Sequence, residues 1–368
     1  MKTTLSIIKA DTGSVGGHNR PSETMLAKAK EFQAEAIKKG LLIDSRVTFT
    51  GDDIALLMTH TKGVDNPDIH KLAWDTFVET TKIAKSQGLY GAGQDLLKDA
   101  FSGNVRGMGP GSAEIELEER PAEPFIVFAA DKCGPGVFNY PLFEGFANPY
   151  HNAGLLLAPD MRAGFTFHIM DVNYTEADRV ITLKAPEEYY DICTLLRDPN
   201  HFVIESVVEN ATGLTAAVAS TSRLHNIAGK YVGKDDPVAI VRTQKQFPST
   251  GEILSPWALA HYTLGDNRGS HHVAVMPVKQ STIISFFDGP TIVSAAGYCV
   301  HEGKLTEAVD LFDQPFWDVI RNKAAKKTIA LRAQGFYGPA MAGMDELEYT
   351  GVVENLKRLD EKFSIRKK

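Results

Sequence analysis

The chain has 368 residues, 43% of them hydrophobic and 23% charged, with a formal net charge of −7. This supports a large core and a solvated acidic surface; with no basic run beyond the terminal Arg366-Lys367-Lys368, nucleic acid is not an expected partner. No window approaches the ~18 apolar residues of a membrane span, Met1–Asp11 is too weakly apolar for a signal peptide, and Cys133, Cys193 and Cys299 form neither a disulfide framework nor a zinc pattern, so a reducing cytoplasm is the expected compartment.

Strand and helix patterns alternate along the chain. The run TLSIIKA reads as a strand. Pro21-Ser22 opens a helix with Leu26, Ala29, Phe32 and Ala36 on one face, and Gly40 ends it. SRVTFTGDD reads as a strand with Val47 and Phe49 facing one way. Asn66-Pro67 starts a second helix carrying Ile69, Leu72, Ala73 and Phe77, which stops near Gly88. PFIVFAADK, GFTFHIMDV, HFVIESVVEN, PVAIVRTQ and STIISFFDGPTIVSAAGYCV supply further strands, the last broken at Asp288-Gly289-Pro290. A helix follows Asp313 and Pro315 and ends at Gly335, and a final helix begins near Glu348. The alternation implies an α/β sandwich with sheets buried between helices. The glycine-rich run from Tyr90 to Gly111 is too long for a plain connection and is expected to be a mobile lid, about 90–111.

Three expected strands end in aspartate: Asp11, the pair Asp52-Asp53, and Asp131. A fourth cluster, Asp235-Asp236, directly precedes a strand. One such aspartate is ordinarily a turn or cap residue. Four coincidences point elsewhere. Neighbouring strands lie ~4.8 Å apart, so carboxylates at their ends can bridge metal ions ~3.5–4 Å apart. Six carboxylates in one place need more than one divalent ion for balance, roughly two to four if a phosphate is present. Oxygen ligands favour Mg²⁺, with Mn²⁺ as a substitute, over zinc. His18 can add a nitrogen ligand and Gln94 a carbonyl oxygen.

The stretch KYVGKDDPV places Lys234 directly before two aspartates, with Gly229 and Gly233 permitting backbone change around it. A free lysine has a pKa of ~10.4, so the amine is protonated at neutral pH. Carboxylates alone would keep it so. Metal ions on those carboxylates reverse the local field, and Lys230 or desolvation acts in the same direction. The alternative is an exposed Lys-Asp turn.

The set KADTGSVGGH, TGDD, YGAGQDLL, SGNVRGMGPG, AADKCGPG, RLHNIAGKYVGKDDPV, GDNRGSHH, FFDGP and LEYTG runs in order from Asp11 to Tyr349 and resembles the bifunctional fructose-1,6-bisphosphate aldolase/phosphatase family of archaea and deep-branching bacteria. The resemblance implies a single catalytic domain over residues 1–368, built as a multilayer α-β-β-α sandwich and assembled as a homo-octamer. It implies condensation of dihydroxyacetone phosphate with glyceraldehyde 3-phosphate to fructose 1,6-bisphosphate, then Mg²⁺-dependent hydrolysis of the 1-phosphate to leave fructose 6-phosphate, two steps of gluconeogenesis. Asp11, His18, Asp52, Asp53, Gln94, Asp131, Lys234, Asp235 and Asp236 fall on metal-site positions. His18, Tyr90, Gly103, Asn104, Lys132, Gln244, Lys245, Arg268, Asp288 and Tyr349 fall on sugar-phosphate contacts, although Tyr337 lies near the last of these. Lys234 falls on the Schiff-base position within a loop at about 222–237, and Tyr231 on the proton-transfer position. Asp11 is the expected water-orienting or water-deprotonating group. Two other readings compete: a Mg²⁺-dependent sugar phosphatase without aldolase activity, and a non-catalytic sugar-phosphate or Mg²⁺ sensor. Lys234 with Tyr231 argues against the first, and the complete ligand set against the second.

Overall fold

Side-chain alternation in the first strand sets the layers. A computed structural model of the chain describes residues 1–96, 109–174, 176–221, 235–262, 264–267, 271–283, 291–333 and 351–366. Strand β1 (Lys2–Asp11) is buried along nearly its whole length, as expected for a strand covered on both faces. Ile8 and Ala10 point one way, into a core with helices α1 (Glu23–Lys38) and α2 (Pro67–Ser86). Leu5 and Ile7 point the other way, into a second apolar layer. Period two puts Lys9 and Asp11 on that same inner face. The two helices start where side chains can cap them: Ser22 accepts from the Met25 N–H at 3.3 Å, and Asn66 accepts from the Asp68 N–H at 3.0 Å, with Pro67 in the first turn.

The first sheet has the order β2-β3-β1-β4, with β2 (Asp44–Thr50), β3 (Asp53–His60) and β4 (Gly111–Glu118) all antiparallel to their neighbours. The second sheet runs from β5 (Glu123–Asp131) through β6 (Phe165–Asp171), β7 (Arg179–Ala185), β8 (Phe202–Glu209), β9 (Thr215–Ala219), β10 (Val238–Arg242), β11 (Leu264–Asn267), β12 (His271–Val278) and β13 (Thr291–His301). Its order is β11-β12-β13-β5-β10-β9-β8-β6-β7, with the short β14 (Lys304–Leu305) and β15 (Val309–Asp310) beside β13 and β16 (Ser364–Ile365) beside β7. One face of this sheet packs on the first. Its outer face is covered by α3 (Asn139–Ala147), the short α4 (Gly154–Leu157), α5 (Tyr189–Leu196), α6 (Thr250–Leu254), α7 (Pro315–Ala333) and α8 (Gly351–Asp360), through residues such as Phe143, Phe146, Ile192, Ile253, Trp317 and Leu359. The expected α-β-β-α sandwich is the architecture found. Among the described residues no helix is long and apolar enough to cross a membrane.

The inter-sheet layer is the part that positions chemistry. Leu5 and Ile7 of β1, Ala55 and Leu57 of β3, Phe125, Val127 and Ala129 of β5, and Val238 and Ile240 of β10 all meet there. Three of these rows continue, two residues on, into an aspartate, Asp53, Asp131 and Asp236, and the β1 row continues through Lys9 into Asp11. The sequence reading had pictured the carboxylates on adjacent strands of one sheet. Only Asp11 and Asp53 are ladder partners. Asp131 and Asp236 come from the facing sheet, because β5 and β10 pair with each other and not with β1. The run SRVTFTGDD also proves to be more than one strand. Gly51 and Asp52 form a tight turn from β2 into β3, whose run IALLMTH had no counterpart among the expected strands.

That turn is pinned to the second sheet. Gly51 donates its N–H to the Thr282 carbonyl at 2.9 Å, and the Thr50 hydroxyl meets Ser294 of β13 at 2.7 Å. Gly51 has φ +58°, and a Cβ there would fall 1.6 Å from Asp131 Oδ2. Gly51→Ala therefore combines left-handed backbone strain, ~1–2 kcal/mol, with an overpacked contact worth ~1–3 kcal/mol. Denaturant unfolding should show a loss of about 2–5 kcal/mol. Wild-type stability in that variant would mean the turn moves away from Asp131 without cost.

Candidate metal centre and active site

The four inward rows end at one place, and the side chains there form two facing groups. Asp11, His18 and Asp52 bring ligand atoms within 4.8 Å of one another, and so do Asp53, Asp131 and Asp236. All five aspartates are buried, none more than 2% exposed. Backbone donors hold several of them. Asp11 Oδ1 accepts from the Gly13 N–H at 3.0 Å, Asp131 Oδ2 from the Asp52 N–H at 3.3 Å, and Asp236 Oδ1 from the Cys133 N–H at 2.7 Å. Asp236 has φ +53°, and its own N–H returns to the Cys133 carbonyl at 2.9 Å, so this entry into β10 is locked to the exit of β5. Asp235 beside it is half-buried.

Two buried ammonium groups sit among these carboxylates. Lys132 Nζ donates to Asp52 Oδ1 at 2.5 Å and to Asp131 Oδ1 at 2.9 Å, joining the two groups. Lys9 pairs with Asp53. His18 Nδ1 lies 3.0 Å from Asp52 Oδ2, and its ring meets the edge of Tyr90 with centroids 4.8 Å apart. Tyr90 is 45% exposed, which puts the His18–Tyr90 pair at the mouth of the buried cluster.

The charge is not balanced by these partners. Burial raises the Asp11 carboxyl well above the ordinary range, and repulsion from Asp52 and Asp53 adds to it. Burial likewise raises Asp131 against the pull of Lys132, with Asp52 and Asp53 adding to the rise. Burial also drives Asp53, which is pushed up to about 6, with Lys9 opposing and Asp236 and Asp52 adding. Asp52 moves the other way: burial would raise it, but Lys132 and His18 outweigh that and hold it far below the usual value. Three carboxyls that resist ionisation in one dry pocket describe a site short of positive charge. Among the described residues, Asp11 Oδ2 and Gln94 Nε2 are buried there without a hydrogen-bond partner. Buried polar groups are normally satisfied, and a rotated Gln94 amide would offer its oxygen at the same place. Hard, oxygen-seeking divalent cations fit this donor set.

Of the site residues expected from sequence, Asp11, His18, Asp52, Asp53, Tyr90, Gln94, Asp131, Lys132, Asp235 and Asp236 lie in or beside this cluster. Gly103, Asn104, Tyr231, Lys234, Arg268, Asp288 and Tyr349 lie outside the described residues, as does most of the expected lid. The described ends of the lid are tied down: Asp95 accepts from the Asp11 N–H at 2.9 Å and from the Gly109 N–H at 3.0 Å. Gln244 and Lys245 are not brought to the cluster within the chain. β10 pairs antiparallel to β5 from Val238 opposite Ala129 to Arg242 opposite Phe125, so the two residues follow the opposite end of the strand. About 13 Å of strand separate those ends at ~3.3 Å per residue. Both are exposed with φ of 71° and 60°, in a turn braced by Arg120, which donates to the Gln244 carbonyl at 2.8 Å and pairs with the buried Glu123 at 2.7 Å. Lys9, Asp95 and Gly51 were missed by sequence reasoning. Lys9 did carry a signal, a charge at an inward position directly after Leu5 and Ile7 on the same face of the strand.

A family model described as fructose-1,6-bisphosphatase matches residues 2–364. A protein of Thermus thermophilus named fructose-1,6-bisphosphate aldolase/phosphatase is 56% identical over 364 residues, covering 99% of this chain and 100% of its own. A protein of the same name from Ignicoccus hospitalis is 48% identical, with 98% of this chain and 93% of its own covered. Another, from Methanothermobacter marburgensis, is 44% identical with 99% of both chains covered. Identity at this level across the whole length, including every strand that ends in the acidic cluster, leaves no part of the fold unaccounted for: the chain belongs to the fructose-1,6-bisphosphatase family.

Proposed function

We propose that this chain is a bifunctional enzyme of gluconeogenesis in the cytoplasm. It condenses dihydroxyacetone phosphate with glyceraldehyde 3-phosphate to fructose 1,6-bisphosphate and hydrolyses the 1-phosphate to give fructose 6-phosphate. The observation that carries the reading is the convergence of two buried acidic groups, drawn together from both sheets, on one bridging lysine, Lys132. The shared name of the full-length relatives supports both activities.

Asp11, His18 and Asp52 on one side, and Asp53, Asp131 and Asp236 on the other, with Gln94 and Asp235 adjoining, are the residues that would hold Mg²⁺, about two to four ions, or Mn²⁺ in its place. Held by these residues, such ions would supply Lewis-acid polarisation of a phosphoryl group, activation of water and charge stabilisation of the leaving oxygen. Asp11 has one oxygen held by Gly13 and one without a protein partner, which suits it to orient the attacking water or take its proton. Lys132 bridges two carboxylates and can turn its point charge to a phosphate. Tyr90 and His18 line the entrance and suit a polar sugar.

For the condensation, Lys234 is the proposed imine-forming amine and Tyr231 the proton-transfer group. Their loop leads directly into Asp235 and Asp236, so the charge state of that pair acts on the amine. A homo-octamer is the proposed assembly. It would give the exposed Gln244–Lys245 turn, which is remote from the cluster of its own chain, a route to the cluster of a neighbouring copy.

Borohydride trapping with dihydroxyacetone phosphate tests the reading. Covalent mass is expected on the peptide containing Lys234 and should vanish in Lys234→Ala, while hydrolysis of supplied fructose 1,6-bisphosphate falls much less. Near wild-type condensation by that variant would refute the imine assignment. At pH 7, EDTA should suppress trapping as well as hydrolysis, and less so near pH 10, where a lysine of pKa ~10.4 is already partly deprotonated. Tyr231→Phe should still be trapped but lose carbon–carbon bond formation by ~10²–10⁴-fold, as for a general acid–base group. A loss below about tenfold would point to packing.

A further inference from the structure

The two lysines of the cluster are equally buried, at 1% exposure each, but the chain holds them differently. Lys132 stands where β5 leaves its sheet, with φ +59°, and divides its ammonium between Asp52 and Asp131. Lys9 lies inside β1, paired with Ala55 of β3 on one side and Gly111 of β4 on the other. Its backbone cannot withdraw without breaking both ladders. Its side chain points into the dry inter-sheet layer, where an unpaired ammonium would be strongly disfavoured. It pairs with Asp53 Oδ2, and the same carboxylate brings an oxygen within 4.8 Å of ligand oxygens of Asp131 and Asp236.

We propose that Lys9 is the resident counter-ion of the Asp53–Asp131–Asp236 group, holding the metal-free chain together and weakening divalent-ion binding at that group. It is a positioning residue, acting through Asp53 and not on substrate. The inference rests on the metal-dependent reading given above. Charge rather than orientation decides the sign. The backbone of Asp53 is fixed by ladder pairing to Asp11 and Thr50, and at 2% exposure its side chain has little room to turn away without Lys9. The repulsion between an ammonium and a divalent ion at short range in a buried site does not survive the loss of Lys9.

Lys9→Met tests this with Mn²⁺ as the probe, free Mn²⁺ being followed by electron paramagnetic resonance alongside calorimetric titration. The variant should bind Mn²⁺ about tenfold more tightly or better. Its melting temperature in EDTA should fall below wild type, and Mn²⁺ should raise it more than it raises wild type. Unchanged or weaker binding would overturn the proposal, weaker binding marking Lys9 as a purely orienting group. If Lys9→Met does not fold in EDTA, Lys9→Met with Asp53→Asn decides. The neutral pair should recover stability in EDTA, and failure to recover would mean that Lys9 is needed for packing and not for charge. Wild-type protein that binds no Mn²⁺ would instead refute the metal-dependent reading itself.

Discussion

The structure is organised around like charge concentrated at the end of a dry layer. Two unit charges ~4 Å apart interact by ~1 kcal/mol in water but by ~4 kcal/mol at the effective dielectric of a protein. The five buried aspartates therefore need support from every direction. Backbone N–H groups of Gly13, Asp52 and Cys133 supply part of it, and Lys9, Lys132 and His18 another part. The raised carboxyls of Asp11, Asp53 and Asp131 show that these do not suffice. The charge left over is what the proposed divalent ions would balance.

Backbone conformations beside the cluster serve the same end. Gly51, Lys132 and Asp236 all have positive φ, and each marks a place where the chain turns sharply to bring a carboxylate or ammonium inward. Such conformations cost ~1–3 kcal/mol each for residues other than glycine and persist only where the surroundings over-determine them. Here the over-determination is visible. Asp236 and Cys133 exchange backbone and side-chain hydrogen bonds, and the Gly51 turn is tied to Thr282 and Ser294. The apolar rows behind the cluster make this possible, since each inward-facing Val, Ile, Leu or Phe contributes ~1.5–3 kcal/mol on burial.

Lys9 and Lys132 divide the compensation between a fixed charge and one at a strand exit. A site proposed to handle both an imine and a phosphate ester has to accept different charge arrangements in turn. The lysine inside β1 has a backbone fixed by two ladders, and the lysine at the strand exit divides its charge between two carboxylates. The Gln244–Lys245 turn, braced by Arg120 and Glu123 at the far end of β10, belongs to a different part of the surface.

By itself the sequence determined the alternation of strands and helices, the two early helices with their Ser22 and Asn66 caps, and the acidic residues at strand ends, because period, capping and turn chemistry are local. It also carried, through motifs in fixed order, the resemblance that the full-length relatives support. It did not determine which strands face one another. The hairpin at Gly51 is local, with Thr50 opposite Asp53, but the partition into two sheets and the approach of Asp131 and Asp236 to Asp11 and Asp53 depend on pairings between residues about 40 to 120 positions apart. No local pattern encodes such a pairing. Lys9 was legible only as one lysine in an apolar strand, and Gln244 and Lys245 only as motif positions. The tertiary structure put Lys9 in the middle of the charge cluster and the other two at the opposite end of the sheet, because strand direction and register, which are set by the packing of the whole inter-sheet layer, decide at which end each side chain stands.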